Sequence, residues 1–284
     1  MNQQFEQELQ SSWQERQEYA EKMLPIIGSL YRKFAVEISV YGRPLLNASA
    51  IDVIKAHRMV RLHEGIKLRL RESWPILEAL NEMTLAPAQI DIGKLAFDFH
   101  YGSAVDETDL NAYLRQQLQS VVDKEDDQKP RDVVLYGFGR IGRLMARLLI
   151  ERQGMNNKLR LRAIVVRGGR EGDLEKRASL LRRDSVHGPF NGSITVDEER
   201  QAIKANGAFI QVIYANSPDE VDYTQYGIDD AIVVDNTGIW RDRDGLGLHL
   251  KAKGTEKVIL TAPGKGDIKN IVHGVNSDNI TADD

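Results

Sequence analysis

The stretch Val133–Gly154 reads VVLYGFGRIGRLMARLLIERQG, and it decides how the second half of the chain folds. An apolar run breaks into a turn with three glycines and resumes with apolar residues at helical spacing. This order predicts a strand, a tight turn and an amphipathic helix, with a second strand about 20 residues further on.

Each glycine of this turn has a separate task in a dinucleotide-binding site. Gly137 permits the sharp turn, Gly139 lets the backbone approach a pyrophosphate, and Gly142 lets the helix pack against the strand. Free N–H groups near Arg140 and Ile141, at the positive end of the helix dipole, would hold the phosphates. A tight turn without a ligand is the alternative, because GxGxxG alone is a weak signal. The strand before it and the helix after it favour a dinucleotide.

From Arg131 onward, short β-rich runs alternate with helical stretches. Near-continuous Val and Ile runs separated by helices predict a parallel sheet covered on both faces, which is a Rossmann-type doubly wound α/β domain. Its ligand should lie beyond the carboxyl ends of the strands. The predicted strands are VVLY, LRLRAIVV, FIQVIY, AIVVDNTG, KVILTAPG and IVHGVN, the last of which covers Ile271–Asn276.

The first half of the chain has a helical pattern. Phe5, Leu9 and Trp13 recur every four residues and predict an amphipathic helix in which the tryptophan contributes to the core. Ser49–Asp52 has the spacing of a capping box at the start of a second helix. The charged run DKEDDQKP predicts a linker. The predicted organisation is an all-α extension at 1–123, a linker at 124–130 and a nucleotide-binding domain at 131–284.

Composition excludes several classes of function. A net charge of −4 argues against a general nucleic-acid binder. No apolar run approaches the ~20 residues of a membrane-spanning helix, and the N-terminus lacks the apolar core of a signal peptide, so a cytoplasmic protein without a membrane partner is expected. The sequence contains no cysteine, which excludes disulfides, cysteine-ligated metals and a cysteine nucleophile from these residues. No motif indicates a metal site.

The end of the second predicted strand bears on which nucleotide binds. NAD-specific domains usually place a carboxylate there for the ribose diol. Here that position is the apolar Val166, followed by Arg167 and, three residues on, by Arg170. A guanidinium can pair bidentately with a 2′-phosphate, so NADP, or tolerance of both cofactors, is favoured. The alternative is that Arg167 faces solvent and NAD binds through other contacts.

The segment YGFGRIGRLMARLL resembles the opening of glyceraldehyde-3-phosphate dehydrogenases, in which the string Gly-Phe-Gly-Arg-Ile-Gly-Arg is typical. Later segments resemble that family in the same order, namely RRDSVHGPFNG, VVDNTGIW, VILTAPG and IVHGVN. The helical first half has no counterpart in the ordinary form, and is similar instead to long bacterial forms with an N-terminal extension.

The resemblance assigns roles to further residues. Thr237 and Gly238 would line the adenosine or nicotinamide side, and Thr261 would lie near the nicotinamide. Asn216 stands where family members often have an arginine near the adenine, which is a departure. No catalytic residue and no metal ligand is predicted in this chain. The predicted cofactor-binding residues are Gly137, Phe138, Gly139, Arg140, Ile141, Gly142, Arg167, Thr237, Gly238 and Thr261.

The family's catalytic cysteine lies in a Ser-Cys-Thr-Thr-Asn segment shortly after the strand that IVHGVN resembles, and this sequence stops at Asp284 before such a segment. We therefore expect the catalytic domain to be absent and the chain alone to be inactive. By resemblance, the intact protein is a glycolytic homo-oligomer. It converts a phosphorylated aldehyde, phosphate and NAD(P)⁺ to an acyl phosphate through a cysteine thiohemiacetal.

Three alternatives remain open at this stage. Erythrose-4-phosphate dehydrogenase belongs to the same family and differs in the aldehyde. A non-catalytic nucleotide-binding or regulatory module, with the helical half as an interaction surface, would explain the missing nucleophile. A semialdehyde dehydrogenase or a reductase would share the glycine turn, but the DSVHG and GVN segments are not expected in them.

Overall fold

The computed structural model of the chain describes residues 3–102, 109–124, 129–152, 158–169, 171–281 and 284. The described residues divide into two compact units, one within residues 1–128 and the other within residues 129–284. Part of the linker predicted at 124–130 lies outside the described residues. The division into an extension at 1–123, that linker and a domain at 131–284 therefore stays a prediction.

The N-terminal unit is mainly helical. Its second helix begins after Ser49, whose hydroxyl accepts a hydrogen bond from Asp52 N while the Asp52 carboxylate accepts one from Ser49 N, as the capping-box spacing predicts. In chain order the elements are α1 (Gln3–Phe34), β1 (Val36–Val40), β2 (Arg43–Pro44), α2 (Ala50–Glu64), α3 (Leu70–Asn81), β3 (Ala88–Asp91), α4 (Ile92–Tyr101) and α5 (Leu110–Gln117).

A small sheet corrects the expectation that this unit is all-α. Strand β1 pairs antiparallel with β2 and parallel with β3. The hairpin turn uses Tyr41 and Gly42, both at positive φ, and the Asp91 carboxylate accepts hydrogen bonds from both of their N–H groups at 2.9 and 2.8 Å. The side chains of β1 alternate between buried and partly buried. The sequence pattern did not predict this sheet. Its longest strand, β1, has only five residues, which is too short for the two-residue alternation of a strand to stand out.

Helix α1 carries one apolar stripe along its whole length, but only the second half of the stripe enters the core. Ala20, Met23 and their successors at helical spacing are buried. By contrast, Phe5 is 51% exposed, Leu9 54% and Trp13 40%. The prediction that Trp13 lies in the core is therefore wrong, because its side chain lines an open groove and not the buried apolar cluster of this unit.

A buried histidine joins α2 to α3. His57 Nδ1 lies 2.8 Å from the Val53 carbonyl, so that nitrogen must carry the proton, and Nε2 lies 2.6 Å from the Ser73 hydroxyl. In the neutral ring Nε2 is then an acceptor, and Ser73 donates to it. Burial lowers the pKa of His57 to about 4. The side chain is a packing residue, consistent with the absence of a ligand motif around it.

The second unit is the predicted doubly wound α/β domain. Short 3₁₀ turns occupy Pro218–Glu220, Tyr223–Tyr226 and Ser277–Asn279. Its helices and strands in chain order are β4 (Arg131–Tyr136), α6 (Arg140–Glu151), β5 (Leu159–Val166), α7 (Asp173–Arg182), β6 (Arg183–Asp184), β7 (Gly188–Pro189), β8 (Ile194–Asp197), β9 (Ala202–Ala205), β10 (Ala208–Tyr214), β11 (Ala231–Asp235), α8 (Arg243–Lys251) and β12 (Thr255–Leu260).

The seven-stranded sheet has the order β12-β11-β4-β5-β10-β9-β8. The five strands from β12 to β10 are parallel, as the apolar runs predict, whereas β9 and β8 are antiparallel additions at one edge. From β4 the chain moves outward through β5 to β10 and then returns to β11 on the other side of β4. The strand order therefore reverses between β4 and β11, where doubly wound folds bind ligands.

Helices cover both faces of this sheet. On one face, Ala146 and Ile150 of α6 and Leu174 and Ala178 of α7 are buried in one apolar cluster with the strands. The opposite face holds a second cluster that includes Tyr223, and Trp240 packs against it. Since both faces are covered, the near-continuous Val and Ile runs are explained by two-sided burial.

One predicted strand is wrong. Ile271–Asn276 forms a turn, in which the N–H groups of Val275 and Asn276 bond to the Val272 carbonyl and the Asn276 side chain accepts from Val272 N. Val272 and Val275 are 60% and 80% exposed. Among the described residues no strand pairs with this segment, so its apolar side chains are not buried against a sheet.

The buried His57 predicts an acid-sensitive N-terminal unit. Its folded pKa of about 4 lies below the ordinary value of 6.5, so between these pH values the unfolded chain binds more protons than the folded chain. Stability should therefore be unaffected by this group above pH 6.5 and fall as the pH drops toward 4, by on the order of 3 kcal/mol. Urea unfolding at several pH values should show a weaker pH slope for His57→Gln. The matched control is His63→Gln, on the exposed side of the same helix. An unchanged slope in His57→Gln would contradict the assignment.

Candidate functional site

The two loops that follow β4 and β11 meet at the reversal of strand order. A Cβ atom added to Gly137 would lie 2.7 Å from Thr237 Cγ2 and 3.2 Å from Thr237 N, so the loops are in contact at this point. The Asn236 N–H donates to the Tyr136 carbonyl at 2.8 Å, which continues the pairing of the strands into the loops. The glycine turn and the Thr-Gly turn thus form two walls of one crevice.

The three glycines of the first loop have different environments. Gly137 has a φ of +91°, and its N–H donates to the Val165 carbonyl. Gly142 is buried, and a Cβ there would lie 2.3 Å from the Gly137 carbonyl oxygen. Gly139 is exposed, and a Cβ there would meet no atom within 4 Å. The geometry therefore fits the turn, approach and packing tasks that the motif predicts.

The N-terminus of α6 presents unpaired donors beside Gly139. Gly139 is its N-cap residue and supplies no side chain, while its carbonyl accepts the hydrogen bond of Arg143 N at 3.0 Å. Within the described part of the chain, the N–H groups of Arg140, Ile141 and Gly142 have no backbone or side-chain acceptor. Unpaired donors at the positive end of a twelve-residue helix form an anion-binding position.

A cleft of about 280 Å³ lies next to this helix end. Five of the predicted residues line it: Gly137, Phe138, Gly139, Arg167 and Thr237. The other lining residues are Tyr136, Val165, Val166, Arg177, Ala215, Ile239 and Trp240.

The remaining predicted residues lie around the cleft rather than in its wall. Arg140, Ile141 and Gly142 begin α6, and Gly238 continues the Thr-Gly turn at a φ of +66°. Thr261 Oγ1 lies 3.0 Å from both the Asp235 carbonyl and the Asn236 side-chain oxygen, which ties the end of β12 to the turn after β11.

Phe138 contributes to the cleft differently from its glycine neighbours. It is 5% exposed and belongs to the apolar cluster between the sheet and helices α6 and α7. Its side chain therefore anchors the glycine turn from below.

A buried Asp–His pair supports the Thr-Gly turn, and sequence reasoning missed it. Asp235 Oδ1 accepts hydrogen bonds from Thr237 N at 2.6 Å and Thr237 Oγ1 at 2.7 Å, while Oδ2 lies 2.9 Å from His249 Nε2. Both Asp235 and His249 are fully buried. The sequence offers no local signal for this pair, because Asp235 at a strand end and His249 on a helix lie 14 positions apart. The pair fixes the orientation of Thr237.

Aromatic rings enclose this pair. Tyr136 meets the His249 ring edge-on at a centroid distance of 4.7 Å and the Trp240 ring at 5.4 Å. Burial, followed by the nearby Asp235 carboxylate, raises the pKa of Tyr136 to about 12. The phenol is therefore uncharged at neutral pH, and Tyr136 contributes an aromatic ring to the wall of the cleft.

At the end of β5, where NAD-specific domains usually have a carboxylate, this cleft is lined by cationic side chains. Val166 ends β5 and is 5% exposed, so its side chain offers no acceptor. Arg167 lines the cleft, as does Arg177 of α7, whose Nε donates to the Asp173 carboxylate at 3.0 Å. Arg177 was missed because only the packing of α7 brings it here. Arg170 lies outside the described residues. Asn216 follows the lining residue Ala215 and is exposed, with its N–H bonded to Glu220.

The described residues hold no group of three or more His, Cys, Asp or Glu side chains placed to bind a metal ion. Of the helices in the described part of the chain, none is long and apolar enough to span a bilayer.

Comparison with known families agrees with the geometry of the crevice. A family profile described as "Glyceraldehyde 3-phosphate dehydrogenase, NAD binding domain" matches residues 131–243. The matched range covers the glycine turn, Arg167 and the Thr-Gly turn. The resemblance found from the sequence motifs is thereby confirmed, and so is the expectation of a nicotinamide dinucleotide as the cofactor.

Individual relatives extend this comparison. A "glyceraldehyde-3-phosphate dehydrogenase-like protein" of Pseudomonas aeruginosa is 53% identical over 269 residues, which are 92% of this chain and 57% of that protein. A chloroplastic glyceraldehyde-3-phosphate dehydrogenase of Arabidopsis thaliana is 40% identical over 54% of this chain and 36% of its own length. That of Zymomonas mobilis is 38% identical over 54% and 42%. The chain thus spans about half, or less, of the relatives it matches, and the first match extends into the helical unit.

The environments of Gly142 and Gly139 predict different effects of an alanine substitution on stability. In Gly142→Ala the new methyl group would overlap the Gly137 carbonyl oxygen, which should cost about 1–3 kcal/mol and lower the unfolding temperature of the α/β unit by several degrees. The matched control, Gly139→Ala, places its methyl group in open space and should unfold close to the parent. Calorimetry of the three proteins checks this. Equal transition temperatures for both variants would contradict the packing described for Gly142.

Proposed function

We propose that this chain, whose α/β unit is an NAD-binding domain of the glyceraldehyde-3-phosphate dehydrogenase family, is the nucleotide-binding part of a phosphorylating aldehyde dehydrogenase. The observation that carries the proposal is the crevice between Gly137 and Thr237, with the free N–H groups of α6 at one side. The intact protein would oxidise a phosphorylated small aldehyde to an acyl phosphate, with phosphate and NAD(P)⁺ as co-substrates.

The chain's own residues would bind and orient the dinucleotide. The N–H groups of Arg140 and Ile141 would donate to the pyrophosphate, and the open space at Gly139 would admit it. Thr237, held by Asp235, and the ring of Trp240 would bound the opposite wall. When bound, the nicotinamide accepts a hydride from the substrate.

The nucleophile of this chemistry is not supplied by these 284 residues, because they contain no cysteine. In the family that the motifs resemble, a cysteine thiolate attacks the aldehyde. We therefore propose that these residues bind the dinucleotide and are inactive toward aldehydes by themselves.

The end of β5 supports NADP, or both nucleotides, as the cofactor. Val166 leaves the position without a carboxylate, and the guanidinium groups of Arg167 and Arg177 line the cleft there. Arg177 already has Asp173 as a partner, so Arg167 is the better candidate to pair with a 2′-phosphate.

Isothermal titration with NAD⁺ and NADP⁺ tests the nucleotide preference. Arg167→Ala should weaken NADP⁺ binding by about ten- to a hundredfold, the range expected for a lost charge-assisted hydrogen bond, and change NAD⁺ binding little. Arg243→Ala is the matched control, since it removes an exposed cation paired with Asp267 outside the cleft lining. Much tighter binding of NAD⁺ that is unaffected by Arg167→Ala would refute the NADP proposal. No binding of either nucleotide would refute the function itself.

Two alternatives are kept as proposals. Erythrose-4-phosphate dehydrogenase activity would use the same nucleotide unit, and kcat/KM for the two phosphorylated aldehydes, measured on a protein that includes a substrate domain, separates them. A non-catalytic nucleotide-binding role is favoured by the lack of cysteine in these residues. A native protein that binds nucleotide but oxidises neither aldehyde would support it. We also propose homo-oligomers for the complete protein, and neither nucleic acid nor a membrane as partner.

A further inference from the structure

The N-terminal unit contains a large open groove of its own. It encloses about 1100 Å³ between the first half of α1, the outer side of α2 and the segment that leads into α3. Trp13 of α1 and Ile51 and Leu62 of α2 line it, and they are 40%, 41% and 74% exposed. The groove thus presents apolar surface that these residues leave uncovered.

The walls of this groove are strongly basic. Between Lys55 and Arg71 the chain contains six lysines and arginines and one carboxylate, Glu64, and all six cations line the groove. Arg71 is paired with Glu15. Arg58, Arg61 and Lys67, by contrast, make no ion pair with any residue that the structure describes. In a chain with a net charge of −4, this concentration of unpaired cations indicates an acidic occupant.

The first half of α1 has the complementary properties. Phe5, Leu9 and Trp13 form an exposed apolar stripe that is in line with the buried Ala20 and Met23. Residues 1–15 include three glutamates, at 6, 8 and 15, and no lysine or arginine. The first half of α1 is therefore an acidic amphipathic helix whose apolar face is not covered by any described residue. The basic groove beside it also has apolar residues that no described residue covers.

We infer that the groove receives the first half of α1 from a second copy of this chain, in a reciprocal dimer. An antiparallel pairing centred between Leu9 and Trp13 sets Leu9 of each copy on Trp13 of the other, by the spacing of the helix. Phe5 then reaches the groove near Tyr19, and Glu6 and Glu8 come beside the basic walls. Each copy inserts its helix into the groove of the other, so the two copies are related by a twofold axis and no surface remains free to add a third copy.

This dimer does not depend on the proposed enzymatic function. Its surface lies in residues 5–71, outside the range 131–243 that matches the dehydrogenase profile. It also gives the N-terminal unit a specific task, namely to join two chains.

Sedimentation velocity of the 284-residue chain across micromolar concentrations tests the dimer. The parent should sediment as a dimer, and Leu9→Ser/Trp13→Ser as a monomer with an unchanged helical circular-dichroism spectrum, because both side chains are exposed. Leu148→Ser, which replaces a similarly exposed leucine on α6, is the matched control and should remain dimeric. A monomeric parent, or a dimer that survives the double substitution, overturns the inference.

A charge exchange tests the occupant itself. Glu6→Arg/Glu8→Arg and Arg58→Glu/Arg61→Glu should each weaken self-association at least tenfold. A mixture of the two variants should form heterodimers. The basic helix of the first variant then binds the acidic groove of the second, and the acidic helix of the second binds the basic groove of the first. Failure of the mixture to associate overturns the inference. So does binding of a labelled single-stranded oligonucleotide or an acidic peptide to a parent chain that does not self-associate.

Discussion

The close packing of α6 against the turn that precedes it is the constraint on which the nucleotide-binding unit depends. Gly142 lies so near the Gly137 carbonyl that a Cβ atom would come within 2.3 Å of that oxygen. This contact sets the direction in which α6 leaves the sheet, and hence where the N–H groups of Arg140 and Ile141 are available. Phe138, buried below the turn, holds the same loop from the core side.

The opposite wall of the crevice has its own support. One oxygen of Asp235 accepts both the N–H and the hydroxyl of Thr237, and the other meets His249. Removing one partner of a buried hydrogen bond typically costs about 1–3 kcal/mol, because the polar group left behind remains out of contact with water. The first wall of the crevice is thus positioned by the close contact of Gly142 with Gly137, and the second by the hydrogen bonds of Asp235.

Sequence patterns predicted the features that depend on local periodicity or on a motif, and did not predict contacts between residues that are distant in sequence. The five parallel strands and the tasks of Gly137, Gly139 and Gly142 follow from periodicity and from one motif. By contrast, His249 and Arg177 reach the site only through helix packing, so no local pattern marks them. The small N-terminal sheet was missed because its strands are short, and the segment Ile271–Asn276 was misjudged because apolar residues predict a strand even where no neighbouring strand accepts it.

We propose that a nicotinamide dinucleotide lies across the reversal point of the sheet, with its pyrophosphate on the first turn of α6. Amide chemical shifts of the isotope-labelled chain, titrated with the preferred nucleotide, test this most directly. We expect the largest shifts at the N–H groups of residues 138–142 and 237–239, with little change in residues 3–102. Shifts that centre on the basic groove of the N-terminal unit, or that leave Arg140 and Ile141 unaffected, would contradict it.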